Sequence, residues 1–278
     1  SRQTLAAITA ALAAGLPADI AAVQLSKFRG MHPALVRYVV DLLFELQPGD
    51  YLLRKLLAGL PQLPLFELFV EAGQTAPRVL AEAEQAREGG ATRYCMGAAW
   101  RQVRDGEEFD RVLEMVRCVA ATGMEVCCTL GMLNAAQAQK LKAAGLTAYN
   151  HNLDTGENYY SEVVTTHTYQ DRIATIEHVG RAGISVCCGG ILGLGESDDD
   201  RIDLLCALAQ LPTPPESIPV NALVPIAGTP LGDREPTSVW ELVRMVACAR
   251  ILFPEAMVRL SAGRDALPAT AQALCFLA

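Results

Sequence analysis

The stretch EVCCTLGMLNAAQAQKLKAAGLTAYNHNL, from Glu125 to Leu153, holds one complete structural unit and the first element of the next. Glu125 to Leu130 reads as a strand, Ala135 to Ala144 as a helix ended by a glycine, and Thr147 to Leu153 as a second strand. A strand, a helix of ordinary length and another strand, joined by short loops, is the pattern of a parallel sheet.

Working outward, the same alternation continues in both directions. Strands are expected near Thr92 to Ala98, Ile184 to Leu192, Ser217 to Val224 and Met257 to Ser261, with helices over Phe109 to Ala121, Tyr169 to Ala182, Asp198 to Leu211 and Ser238 to Phe253. The six units repeat at the spacing of βα structure rather than that of a helical solenoid. The fold class is therefore α/β, a TIM-type (β/α) barrel. The reading leaves strands 1 and 8 of such a barrel unaccounted for. Residues 1–69 read instead as a separate helical segment, Leu/Ala-rich and broken at Gly15, Pro17, Gly30, Pro48, Gly49 and Pro61, and residues 70–278 form the barrel. The apolar run Thr4 to Leu16 fits a packed helix better than a targeting segment.

Composition narrows the function. The 278 residues carry 51% hydrophobic and 19% charged side chains, with a formal charge of -8. That charge argues against a nucleic-acid partner, which needs clustered cations. No run of about eighteen apolar residues marks a membrane span. Nine cysteines in an acidic α/β chain suit metal or redox chemistry in a reducing, cytoplasmic compartment better than disulfides. In the pairs Cys127-Cys128 and Cys187-Cys188 one side chain should face inward and its neighbour outward.

In a barrel of this kind the working groups gather at the C-terminal strand ends. Here those positions hold Cys95 and Gly97, Cys127, Asn152 and Asp154, Cys187 and the loop Gly189 to Gly195, Asn221, and Arg259. Three thiolates on three strands can hold iron or zinc, although cysteines also serve as small buried core residues. Arg259 in an apolar strand needs an anionic or metal-bound partner, or an ordinary salt bridge. Asn150, Asn152 and Asp154 share one strand face, either lining a ligand site or facing solvent. The glycines of GGILGLGE, Gly189 to Glu196, permit close approach of a nucleoside or simply tight packing, and they lack the spacing of a phosphate-binding loop. The four histidines, His32, His151, His167 and His178, show no ligand-like pairing.

Several of these stretches, taken in order, resemble the biotin synthase family of radical S-adenosylmethionine enzymes. They are RYCMGAAW (Arg93 to Trp100), CCTLGM (Cys127 to Met132), YNHNLDT (Tyr149 to Thr155), TTHTYQDR (Thr165 to Arg172), Gly189 to Glu196, LPTPPES (Leu211 to Ser217) and VRLSAGR (Val258 to Arg264). The resemblance spans about residues 70–278. It implies sulfur insertion into dethiobiotin, with a [2Fe-2S] cluster held by Cys95, Cys127, Cys187 and Arg259. It further implies dethiobiotin at Asn152 and Asn221, and S-adenosylmethionine at Asp154 and Arg172 beside Gly193 and Gly195. Cys128 and Cys188 are then not ligands. A homodimer and an electron donor such as flavodoxin come with the family. So does a [4Fe-4S] cluster on a Cys-x3-Cys-x2-Cys loop after the first strand, yet no cysteine precedes Cys95 and no such run occurs. The corresponding place, Leu63 to Ala72, reads as helix running into helix.

Overall fold

A computed structural model describes residues 66–69, as backbone, and residues 76–278. The helices expected over the first 65 residues lie outside the described residues. Two compact units divide the chain. The larger contains an eight-stranded, wholly parallel sheet. Its elements are β1 (Phe66–Phe69), α1 (Ala76–Glu88), β2 (Arg93–Gly97), α2 (Glu107–Ala120), β3 (Glu125–Thr129), α3 (Ala135–Ala143), β4 (Ala148–Asn150), α4 (Glu157–Val163), α5 (Tyr169–Arg181), β5 (Ser185–Cys187), β6 (Gly190–Leu192), α6 (Asp198–Gln210), β7 (Ser217–Ala222) and β8 (Met257–Leu260). The smaller unit contains α7 (Val239–Leu252), a single 3-10 turn (Arg264–Ala266) and α8 (Ala269–Leu277), with α7 packed on α8.

Strand order is β1-β2-β3-β4-β5-β7-β6, with β8 on β7. The register shows that β5 and β6 are one strand interrupted at Cys188 and Gly189. Cys187 sits opposite Ser217 and Gly190 opposite Val220, the same offset on both sides of the break. The interruption has a steric cause, because a Cβ at Gly189 would overlap the Pro219 carbonyl oxygen of β7. Counted this way, seven parallel staves form a (β/α) barrel-type sheet, one short of a full TIM barrel among the described residues.

One expectation is corrected. The segment containing Phe66 to Phe69 is not helix but strand, paired in parallel with β2 from Phe66 opposite Tyr94 to Phe69 opposite Gly97. Strand 1 is thus accounted for, and it lies just before the boundary drawn at residue 70. The sequence FELF has one acidic residue among three apolar ones, too short a run to separate a strand from a helical turn by periodicity. Helices α4 and α8 also escaped the sequence reading.

Both faces of the sheet are covered, as parallel sheets require. On the outer face Tyr94, Met96, Val126, Cys128, Tyr149, Val186, Ile218 and Val220 are buried. Helices α2 and α5 pack on β3 and β5 through stripes that include Phe109, Val116, Ile176 and Val179. Helix starts are fixed locally. Asn134 with Gln137, Thr168 with Asp171, and Ser197 with Asp200 each form a reciprocal capping box, worth roughly 1 kcal/mol apiece. Among the described residues no helix is long and apolar enough to cross a membrane.

Tyr149 ties this outer core to the loop at the strand ends. Its fully buried hydroxyl donates to the Gly131 carbonyl at 2.6 Å and accepts from the Leu130 amide at 3.1 Å. Tyr149→Phe would leave two buried backbone groups unsatisfied, and urea unfolding should show a loss of about 1–3 kcal/mol. Full retention of stability would mean that water replaces the phenol without cost.

A candidate iron-sulfur and ligand site at the strand ends

On the inner face the alternation brings the sequence-selected residues into one register. Cys95 sits opposite Cys127, and Cys127 opposite Ala148, forming a buried cluster of three. One step toward the C-terminal end, Asn150 is level with Cys187, and Cys187 with Ser217. Cys127 and Cys95 are linked by a thiol hydrogen bond, which together with burial pushes the Cys127 thiol far up from its ordinary value. Arg259, opposite Pro219 on β8, reaches across so that its Nη2 donates to Cys187 Sγ at 2.9 Å. Burial raises the Cys187 thiol, while the Arg259 charge pulls it back. The Arg259 Nε is buried without a hydrogen-bond partner.

That orphan donor is informative, because a buried guanidinium with unspent N-H groups costs free energy unless an electron-rich guest meets it. Three soft sulfurs with a guanidine nitrogen form a donor set suited to an iron-sulfur cluster. Among the described residues no three His, Cys, Asp or Glu side chains are already gathered as a metal-ion site. Cys128 lies on the outer face, level with Met96, and Cys188 lies at the break between β5 and β6. Cys128 and Cys188 are fully buried, and burial raises both thiols, which makes them inert core residues. All nine cysteines are free.

Nearer the strand ends the polar residues form a second constellation. Asn152 Oδ1 accepts from the Gly189 amide at 3.1 Å. Asn221 donates from Nδ2 to the Gly190 carbonyl at 2.9 Å and accepts at Oδ1 from the Ala262 amide at 3.0 Å. Each carboxamide retains further hydrogen-bonding capacity. Asp154 adopts φ 69°, the sole non-glycine residue in the left-handed region among the described residues. Its carboxylate pairs with Arg172 at 2.8 Å. Burial raises the Asp154 carboxyl, and Arg172 opposes that rise. A left-handed backbone and a half-buried ion pair thus meet just after β4.

Gly193 and Gly195 hold φ 94° and 108°. Their amides are not open to a ligand, because both donate at 3.0 Å to the carboxylate of Glu196. Glu196 is almost wholly buried and is held in turn by Arg201 at 2.8 Å. Sequence reasoning quoted Glu196 without giving it a task; an acid directly after a glycine-rich turn and five residues before an arginine was the available signal. His151 was set aside as well, yet it is buried beside this site. Burial first, then the Arg172 charge, lowers it to about 3, so it is neutral at physiological pH. Beside the loop after β2, Trp100, Arg101 and Arg104 line part of a cavity of about 560 Å³.

Comparison with known proteins places the chain in a family. Residues 73–207 match the Radical SAM superfamily. Residues 219–278 match the Biotin and Thiamin Synthesis associated domain. A biotin synthase of Gloeobacter violaceus is 66% identical over 200 residues, covering 72% of this chain and 63% of the relative. One from Synechococcus elongatus is 57% identical over 220 residues, covering 78% of this chain and 69% of the relative. The chain belongs to the biotin synthase family. It spans about three fifths of the length of the first curated relatives that it matches. The solved FeFe-hydrogenase maturase HydG from Carboxydothermus hydrogenoformans shares the fold at TM-score 0.64 and 16% identity, covering 99% of this chain and 70% of its own.

The Asp154–Arg172 pair gives a signed prediction. The pair is only half-buried, and stripping a partly buried charge of its partner costs about 1–3 kcal/mol, so Arg172→Leu should lose stability of that order at pH 7. A carboxyl with a raised folded pKa holds its proton more tightly when folded. Its cost is therefore fully present above that pKa and relieved on acidification. Denaturation of Arg172→Leu and wild type at pH 7 and pH 4.5 should show a smaller deficit at the lower pH; an equal deficit would mean that Asp154 is not the group left unpaired.

Proposed function

We propose that this chain forms the sulfur-donor and substrate-holding barrel of a biotin synthase, inserting sulfur into dethiobiotin by S-adenosylmethionine-derived radical chemistry. The observation that carries the reading is the buried pair Cys95 and Cys127 on one rung, with buried Cys187 one step further along the inner face and Arg259 donating to its Sγ at 2.9 Å. These four residues would hold a [2Fe-2S] cluster, which supplies the inserted sulfur when bound. The thiols must lose their protons to take up iron, and the Arg259 charge favours that loss at Cys187.

The rest of the site positions. Asn152 and Asn221 have amide capacity left to meet the ureido group of dethiobiotin. The Asp154 carboxylate accepts ribose hydroxyls, and Arg172 meets the methionyl carboxylate, each keeping its place through the other. Neutral His151 and the buried sheet around it exclude water, which keeps a reactive radical from side reactions. A homodimer in the cytoplasm, re-reduced by a flavodoxin-like donor, completes the reading.

The [4Fe-4S] cluster stands apart. No cysteine precedes Cys95 and no Cys-x3-Cys-x2-Cys run occurs, so the residues present do not fit it. That fact favours a second reading, an iron-sulfur or ligand-binding module without turnover of its own.

Anaerobic reconstitution with iron and sulfide, read by absorption and Mössbauer spectroscopy, tests both. One [2Fe-2S] cluster without a [4Fe-4S] signal is expected. It should be lost in Cys95→Ala, Cys127→Ala and Cys187→Ala, and kept in Cys128→Ala and Cys188→Ala. Failure to take up any cluster, or equal sensitivity of the outer cysteines, sinks the assignment. Biotin formed from dethiobiotin by the reconstituted chain supports the enzyme; cluster uptake without product supports the module.

A further inference from the structure

Arg172 is held from three sides. Its Nη2 meets Asp154 at 2.8 Å, its Nη1 donates to the Asn152 carbonyl at 2.8 Å, and its Nε donates to Tyr160 Oη at 2.7 Å. Two of these partners belong to the strand-end segment that the fold places at the site. The third, Tyr160, comes from α4, a separate seven-residue helix.

Tyr160 is itself fixed. Its side chain is buried, and its ring packs edge-on against Tyr169 at 5.4 Å and against His167 at 6.2 Å. The guanidinium also lies 5.9 Å from the ring centroid. Burial raises the phenol, so it stays a neutral oxygen that accepts from Nε. A guanidinium with only the carboxylate and one carbonyl as anchors could pivot about the line joining them. A hydroxyl on Nε removes that freedom, and it is the one contact delivered from outside the strand end.

We infer that Tyr160 is a positioning residue for ligand capture, fixing the Arg172 guanidinium so that Arg172 and Asp154 together meet S-adenosylmethionine. The inference rests on the proposed role of that pair. The plainer alternative is that Tyr160 only packs against its neighbours. Tyr160→Phe separates the two, because it retains the ring and both ring contacts while deleting the acceptor.

Two measurements on the full reconstituted chain decide the matter. The Arg172 side-chain Nε-H signal, assigned in an NMR spectrum by its loss in Arg172→Lys, should be protected from exchange in wild type and exposed in Tyr160→Phe. Calorimetric titration with S-adenosylmethionine should show binding weakened about tenfold, the worth of one hydrogen bond to a charged group. The iron-sulfur absorption should be unchanged, and the unfolding midpoint should fall by no more than the loss of one partly buried hydrogen bond implies. In the double variant with Arg172→Lys, the tyrosine change should add nothing further, because both act through the same group. Wild-type binding with Tyr160→Phe within twofold of it, or an unchanged Nε-H signal, overturns the role of Tyr160 alone. A wild-type chain that does not bind the probe overturns instead the ligand reading beneath it.

Discussion

The parallel register across β2 to β8 is the constraint on which everything else depends. Strands that run the same way and alternate with period two place every second residue on the inner face. The pairing of Cys95 with Cys127, and of Cys187 with Asn150 and Ser217 one step further on, then sets three buried thiols on one face. A slip of one residue in any strand would send its cysteine outward and bring an apolar neighbour in. Cys128 and Cys188 show the consequence of that parity, each lying one residue from an inward cysteine and packed in the outer core.

Two arginines exploit the same geometry for different ends. Arg259 reaches Cys187 from β8 and keeps its Nε without a hydrogen-bond partner. Arg172 approaches from α5 and is anchored by Asp154, Asn152 and Tyr160, which makes it a group already set. Neither arrangement contributes much net stability, since desolvating a guanidinium offsets most of what its partners return. What such contacts supply is fixed geometry.

The glycine-rich turn after β6 works by an analogous internal bond. Gly193 and Gly195 take a left-handed backbone that would strain other residues, and Glu196 collects both amides in one carboxylate. The turn is therefore a rigid wall beside the strand ends and not an anion cradle.

Much of this was legible from the sequence alone. The βα order, the parity of the vicinal cysteines and the placement of Asn152, Asp154, Asn221 and Arg259 at strand ends follow from periodicity. Periodicity is local and survives without any knowledge of neighbours. The missing cysteine run is likewise a fact of the sequence. Tertiary structure alone decided that FELF is a strand, since four residues show no period and only pairing with β2 defines them. It also decided that Glu196 consumes the glycine amides, that Arg259 reaches Cys187, and that Tyr160 finds Arg172. Those partners lie on different elements, and which side chains meet across elements is set by register and packing, quantities that no local pattern encodes.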